Sequence, residues 1–326
     1  MLLAAGVDVV LLGRARMRQR IARQGLLLSD LNGANLRLAP ERVPYFTDPT
    51  VLKDVGMILV TVKSADTRSA AETIGLHAKS SAIVISLQNG IGNVDTLRAV
   101  LPGWKVLAGM VPFNVVQTED GRLHRGTEGA MMVEPNPDLT NWLPLFRSAG
   151  LPFVTSDDFE AVLWGKLLLN LNNPVNALSG LPLATELAQW DYRRCLAMLV
   201  AEALQVLRTA GIKPAKVGKV APRLLPHLLR LPDGLFRRIA GAMLRIDPQA
   251  RSSMWEDLQS GRKTEIDYLN GAVVRLAESV GRDAPVNRRI IALIRRVEAG
   301  GATELSGEAL LAALRDAGRT RPVAAR

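Results

Sequence analysis

An α/β domain with a parallel sheet, followed by an all-helical domain, is the fold this sequence predicts, and three observations predict it. From Val7 to about Val154, short apolar runs alternate with helical patterns. Continuous apolar strands separated by helices are what a parallel sheet covered on both faces requires. After about Ser156 the strand-like runs stop, and helical periodicity continues from Phe159 onward, punctuated at Pro174, Gly180, Gly211, Pro214, Gly234, Gly261, Gly281 and Pro285. Third, 326 residues that are 48% hydrophobic and 22% charged form ordinary globular material, long enough for two cores. The expected domains are 1–156 and 157–320, with 321–326 a disordered tail.

Taken in order, the strands are "VDVVLL" at 7–12, "MILVTV" at 57–62, "AIVISL" at 82–87 and "VLAGMVPF" at 106–113. The run "RLHRGTEGAMMVE" at 122–134 reads as antiparallel additions at one sheet edge, and "LPLFRSAGLPFVTSD" as a last helix and strand. Clefts between two such domains are favoured ligand sites.

Composition excludes several classes. One cysteine, Cys195, rules out an internal disulfide framework and fits a reducing compartment. His77, His124 and His227 have no neighbours at metal-ligand spacing, so no zinc site is expected. The net charge of +10 invites nucleic acid, with a basic cluster in "GRARMRQRIARQG". With aromatic residues at 4%, however, a stacking platform is lacking, and solvated basic faces plus an anionic small ligand fit better. No apolar run reaches the roughly 18 residues that span a bilayer. The opening "MLLAAGVDVVLLG" has no basic leader and no clean cleavage pattern. The expected location is cytoplasmic, with no membrane and no nucleic-acid partner.

Five stretches carry chemistry. The first strand ends in Gly13-Arg14, followed by Arg16. In dinucleotide folds an acidic residue there binds the ribose of NAD, whereas arginine accommodates the 2′-phosphate of NADP, so NADPH/NADP is the expected cofactor. "VTVKSADT" sets Lys63, and "SLQNGIGN" sets Asn89 and Gly90, just past two buried strands. Ligands of open α/β sheets sit outside such carboxyl ends, and Gly90 and Gly92 allow close backbone approach. In "WGKLLLNLNNPVNALSGLP", Lys166, Asn170 and Asn173 fall at i, i+4 and i+7, one polar face on an apolar helix that Pro174 kinks or ends near Asn173. The same asparagines also read as caps and turn residues around Pro174, with Lys166 snorkelling to water. In "RSSMWEDLQSGRKTEIDYLNG", Ser253 with Glu256 and Thr264 with Asp267 read as two capping boxes, which puts Glu265 in the first turn of the second helix.

Together the last four of these stretches resemble the ketopantoate reductase family (2-dehydropantoate 2-reductase), in order and rough spacing over nearly the whole chain. The resemblance implies a Rossmann-like NADP-binding domain, then a helical catalytic domain. It also implies NADPH-dependent reduction of a 2-oxo acid, 2-dehydropantoate, to pantoate on the way to pantothenate and coenzyme A, in a chain that forms a homodimer. By the same resemblance Lys166 is the proton donor, Asn170 and Ser253 bind substrate, Glu265 contacts substrate and cofactor ribose, and Arg14, Lys63 and Asn89 contact the cofactor. The second substrate asparagine is Asn173 or Asn176. The chain departs from the family at the front, where a strand and a G-x-G-x-x-G loop, roughly two dozen residues, are missing. That leaves a wrongly chosen start at Met1 or a fragment with an exposed strand edge as the expectation. Two alternatives stay open: a reductase of another 2-oxo acid on the same fold, and a non-catalytic protein that has lost its cofactor loop.

Overall fold

The computed structural model describes residues 1–118, 121–127, 129–240, 249–302 and 304–319, and its contacts divide into two units, Met1–Phe159 and Glu160–Arg326. The expected tail at 321–326 lies outside the described residues.

The first unit runs β1 (Leu11–Leu12), α1 (Ala15–Gln24), β2 (Leu26–Asp30), β3 (Asn35–Leu38), β4 (Tyr45–Phe46), β5 (Met57–Val60), α2 (Thr67–His77), β6 (Ile83–Ser86), α3 (Asn93–Val100) and β7 (Lys105–Met110). It continues with β8 (Val115–Gln117), β9 (Leu123–Arg125), β10 (Met131–Val133), α4 (Leu143–Ser148) and β11 (Phe153–Thr155). The main sheet has the order β11-β10-β7-β6-β5. Strands β5, β6 and β7 pair in parallel, with Val60 opposite Ser86 and Ser86 opposite Ala108, so their carboxyl ends share one rim. All four residues of β6 are buried, as its continuous apolar run requires. Ile83, Ile85, Leu107, Val133 and Leu139 form the core under this sheet.

Two expectations change here. Of the run 7–12 only Leu11–Leu12 is a strand, and it pairs in parallel with β4 in a separate two-stranded piece. In the main sheet β5 has a ladder partner on one side only, so the parallel sheet comes in two pieces. The run 122–134 also divides. Met131–Val133 is the expected antiparallel addition beside β7, but Leu123–Arg125 joins a four-stranded sheet of order β3-β2-β9-β8. A hairpin at Asn32-Gly33 makes that sheet: Gly33 takes φ 86°, and Asp30 Oδ1 accepts from the amides of Asn32 and Ala34 at 2.9 Å. Asp30 and Arg125 pair at 2.8 Å, and Ser29 Oγ meets His124 Nδ1 at 2.8 Å across the β2–β9 ladder.

Among its described residues the regular elements of the second unit are all helices: α5 (Phe159–Asn170), α6 (Asn172–Ser179), α7 (Leu183–Ala188), α8 (Trp190–Thr209), α9 (Leu225–Leu229), α10 (Asp233–Ala240), α11 (Ser253–Gln259), α12 (Asn270–Ser279), α13 (Pro285–Glu298) and α14 (Gly307–Arg319). Helix α8 is its axis. Tyr192, Cys195, Leu196, Leu199, Val200, Ala203, Val206 and Leu207 recur at three- and four-residue spacing and are buried against α7, α9, α12, α13 and α14. Glu202 of α8 caps α13, accepting from the amides of Val286 (3.0 Å) and Asn287 (2.8 Å). Burial raises its pKa. Among the described residues no helix is long and apolar enough to cross a membrane.

Candidate active site

In the first unit the loops after β5 and β6 are fixed by a buried polar network that the sequence reading missed. Gln88 Nε2 donates to Val62 O (3.0 Å) and to Thr67 Oγ1 (2.7 Å). Asn93 Nδ2 donates to Asn89 O (2.8 Å) and to Ser64 Oγ (3.2 Å), and Ser64 Oγ donates to Asn89 O (3.0 Å). Ser64, Thr67, Gln88 and Asn93 are all buried, so the bonds among these side chains are shielded from water, whereas those to Val62 O and Asn89 O are part-buried. The signal was present in the polar residues that close an apolar strand run. The network fixes the backbone on which Lys63 and Asn89 stand exposed at the rim. Gly92 takes φ 95°, and a Cβ there would meet nothing within 4 Å. It is therefore required for its left-handed backbone, whereas the sequence reading gave close approach as the reason.

Arg14 is the residue before α1, and its guanidinium is 84% exposed, paired with Asp66 at 3.0 Å. That pair ties the carboxyl end of β1 to the turn after β5. Arg14, Lys63 and Asn89 are thus placed at the ends of three strands of one unit, as their spacing predicts.

In the second unit, Lys166 and Asn170 lie one turn apart on α5, whose Ala161, Val162, Trp164, Leu167 and Leu168 are buried. Burial lowers the Lys166 ammonium to about 8. Gly165, its neighbour, is needed for packing, because a Cβ there would run into the carbonyl of Ala215. The amide of Ala215 in turn donates to Ala161 O at 2.8 Å. Asn170 Nδ2 is buried without a hydrogen-bond partner among the described residues. Such a donor calls for an explanation, and a ligand is one.

The helix breaks at Leu171, two residues before the expected position, and Pro174 falls in the first turn of α6, where its missing amide costs nothing. Asn173 therefore belongs to the next helix and is half-buried. Asn176, the other candidate, is enclosed and bonded within the second unit. It is 0% exposed; Nδ2 donates to Leu181 O (2.9 Å) and Glu186 Oε2 (3.2 Å), and Oδ1 accepts from Ser252 N (2.8 Å). Its amide is committed to the protein.

Both capping boxes are also corrected. The residue that caps α11 is Ser252, whose Oγ accepts from Trp255 N at 3.1 Å. A reciprocal side chain has no role there, because Ser252 N is already held by Asn176. Ser253 becomes the first helical residue, with an exposed side chain. Residues 265–269 form turns, with the amides of Tyr268 and Leu269 bonded to Glu265 O, and α12 starts at Asn270. Asp267 pairs with Arg295 at 2.6 Å in place of capping. Glu265 is buried, ahead of the helix.

Glu186 went unnoticed in the sequence. It is 0% exposed on α7, accepts from Asn172 Nδ2 (3.0 Å) as well as from Asn176, and burial pushes its pKa up to about 8. The available signal was a lone carboxylate in the apolar run "GLPLATELAQW".

Known proteins match this arrangement along nearly the whole chain. The family described as "Ketopantoate reductase PanE/ApbA" matches residues 1–138, and "Ketopantoate reductase PanE/ApbA C terminal" matches residues 158–298. A 2-dehydropantoate 2-reductase of Archaeoglobus fulgidus is 28% identical over 305 residues, covering 91% of this chain and 92% of the relative. The crystal structure of a ketopantoate reductase of that family from Ralstonia eutropha JMP134 is similar with a TM-score of 0.74 and 32% identity, covering 92% of this chain and 93% of its own. A D-mandelate dehydrogenase solved with NADH and anilino(oxo)acetate shares the fold, with a TM-score of 0.72, 21% identity, and coverage of 92% and 93%. A Rossmann-like α/β unit, a helical unit and matches over both halves place this chain in the ketopantoate reductase family, an oxidoreductase family.

Proposed function

We propose that the chain reduces 2-dehydropantoate to pantoate with NADPH, in the supply of pantothenate and coenzyme A. The observation that carries this reading is the pairing on α5 of a lysine brought to about 8 by burial with, one turn on, a buried amide donor lacking a partner among the described residues. An ammonium with a pKa near neutrality is matched to proton donation.

NADPH, when bound, supplies the hydride. Arg14 and Arg16 stand exposed at the N-terminus of α1, whose first turn holds no acidic residue. Cations at the positive end of a helix are unfavourable until an anion joins them; Asp66 meets Arg14 there, and a 2′-phosphate would meet Arg16 and share Arg14. Lys63 and Asn89 would hold the cofactor at the rim of the sheet. As the carbonyl carbon of the substrate gains a hydride, Lys166 Nζ gives its proton to the carbonyl oxygen, leaving a neutral amine that solvent reprotonates. Asn170, Asn173 and Ser253 would bind the carboxylate and hydroxyl of the substrate, and Glu265 would orient them and contact the cofactor ribose. The homodimer implied by the resemblance belongs to the same proposal and is read by light scattering.

The rival within the fold is another 2-oxo acid, a reading favoured by the likeness to a D-mandelate dehydrogenase solved with NADH. A panel of 2-oxo acids with each nucleotide separates the two, with kcat/KM expected to be highest for 2-dehydropantoate and NADPH. Loss of a charge-assisted phosphate contact costs about 1.5–3 kcal/mol, so Arg14→Ala is expected to lower kcat/KM for NADPH about tenfold or more. NADH should be little affected. Equal losses for both nucleotides would remove Arg14 from the phosphate.

A further inference from the structure

Two helices of the second unit, α6 and α7, meet on one carboxyl group, and a third, α11, is tied to it through Asn176. Glu186 of α7 receives the amides of Asn172 (3.0 Å) and Asn176 (3.2 Å), one turn apart on α6, on the same oxygen, Oε2. Asn176 Oδ1 passes the connection on to Ser252 N at 2.8 Å, and Ser252 Oγ donates back to Asn173 O at 3.1 Å. Ser252 is also the cap that sets where α11 begins. The residues assigned to the substrate are interleaved with this chain of bonds. Asn170 precedes α6, Asn173 lies between the two amides, and Ser253 follows the cap.

We propose that Glu186 is the positioning residue of the substrate pocket, acting through Asn172, Asn176 and Ser252 to fix α6 against α11 and so to set the placement of Asn170, Asn173 and Ser253. The proposal rests on the reading of those three as substrate contacts. Glu186 itself touches no substrate, being wholly enclosed. Burial pushes it up to about 8, so at neutral pH it is a neutral acid whose carbonyl oxygen takes both amides. The titratable groups that sense it, Tyr192 and Cys195 of α8, are both raised by burial, Cys195 to about 12. Both stay protonated over the same range. A glutamine, which is neutral with one carbonyl oxygen, should replace Glu186, and an apolar residue of similar size should not.

The test compares Glu186→Gln and Glu186→Leu in the full chain, with Asn172→Ala as a second probe of the same link should Glu186→Leu fail to fold. At pH 7, Glu186→Gln is expected to keep kcat and both KM values within about twofold. Glu186→Leu and Asn172→Ala are expected to lower kcat/KM for 2-dehydropantoate about 10- to 100-fold, as small misplacements of binding groups do, with KM for NADPH unchanged. Hydrogen exchange at the Ser252 amide should quicken in the same two variants and not in Glu186→Gln. Variants that lose thermal stability but keep wild-type kinetic constants would overturn the positioning role, as would a glutamine variant as impaired as the leucine one. Failure of the substrate reading shows separately, as wild-type protein that turns over no 2-dehydropantoate. Unchanged Ser252 exchange in Glu186→Leu then overturns the link on its own.

Discussion

Lys166→Ala is expected to lower kcat for 2-dehydropantoate reduction by about 10²–10⁴, the range that a positioned general acid contributes. The variant should keep the wild-type circular dichroism spectrum, because alanine is the best helix former and the lost group is a half-buried ammonium, not a core side chain. The pH dependence carries the sign. Burial has lowered Lys166 from 10.5 to about 8, and a proton donor must be protonated, so reductive turnover should be level below that value and fall as pH rises through it. In Lys166→Ala the residual rate should lose this fall. A variant with near wild-type kcat, or a wild-type profile still level at pH 10, would take the proton transfer away from Lys166.

Asn176→Ala is expected to act on stability. It leaves the amide of Ser252 without its acceptor and the carbonyl of Leu181 without its donor, and takes from the buried carboxyl of Glu186 one of its two donors, the other being Asn172. At about 1–3 kcal/mol for each group left unsatisfied, the sum is about 3 kcal/mol or more. For a domain of this size that shifts Tm by roughly 10 °C. A thermal melt checks it. An unchanged Tm with a raised KM for the 2-oxo acid would return Asn176 to the substrate and leave Asn173 out.

The same residue shows where sequence reasoning stops. Periodicity placed Lys166 and Asn170 on one helix, and strand-end logic placed Lys63 and Asn89 at one rim and Arg14 at the end of another strand, because both rules depend on backbone geometry alone. Choosing between Asn173 and Asn176 depends on partners 76 residues away, at Ser252, which spacing does not reveal. The capping boxes failed for a related reason. "SSMWE" offers two serines, and the one that caps is decided by which amide Asn176 already holds. The helical unit was legible as a class because helices close their own hydrogen bonds locally. The four-stranded sheet was not, since β2 finds β9 across 95 residues, although Asn32-Gly33 was a readable hairpin signal. Glu186 was hidden by its own neutrality: a charge run draws notice, whereas one glutamate among leucines reads as surface until its burial is known.

The proposed activity is reduction of 2-dehydropantoate with Lys166 as proton donor. The most direct test measures NADPH oxidation by the purified chain with 2-dehydropantoate, with pantoate quantified in the same sample and Lys166→Ala run alongside. The wild type is expected to form one pantoate per NADPH consumed, with turnover lower by about two orders of magnitude or more in the variant. No pantoate from folded wild-type protein, or equal rates from the two proteins, would contradict it.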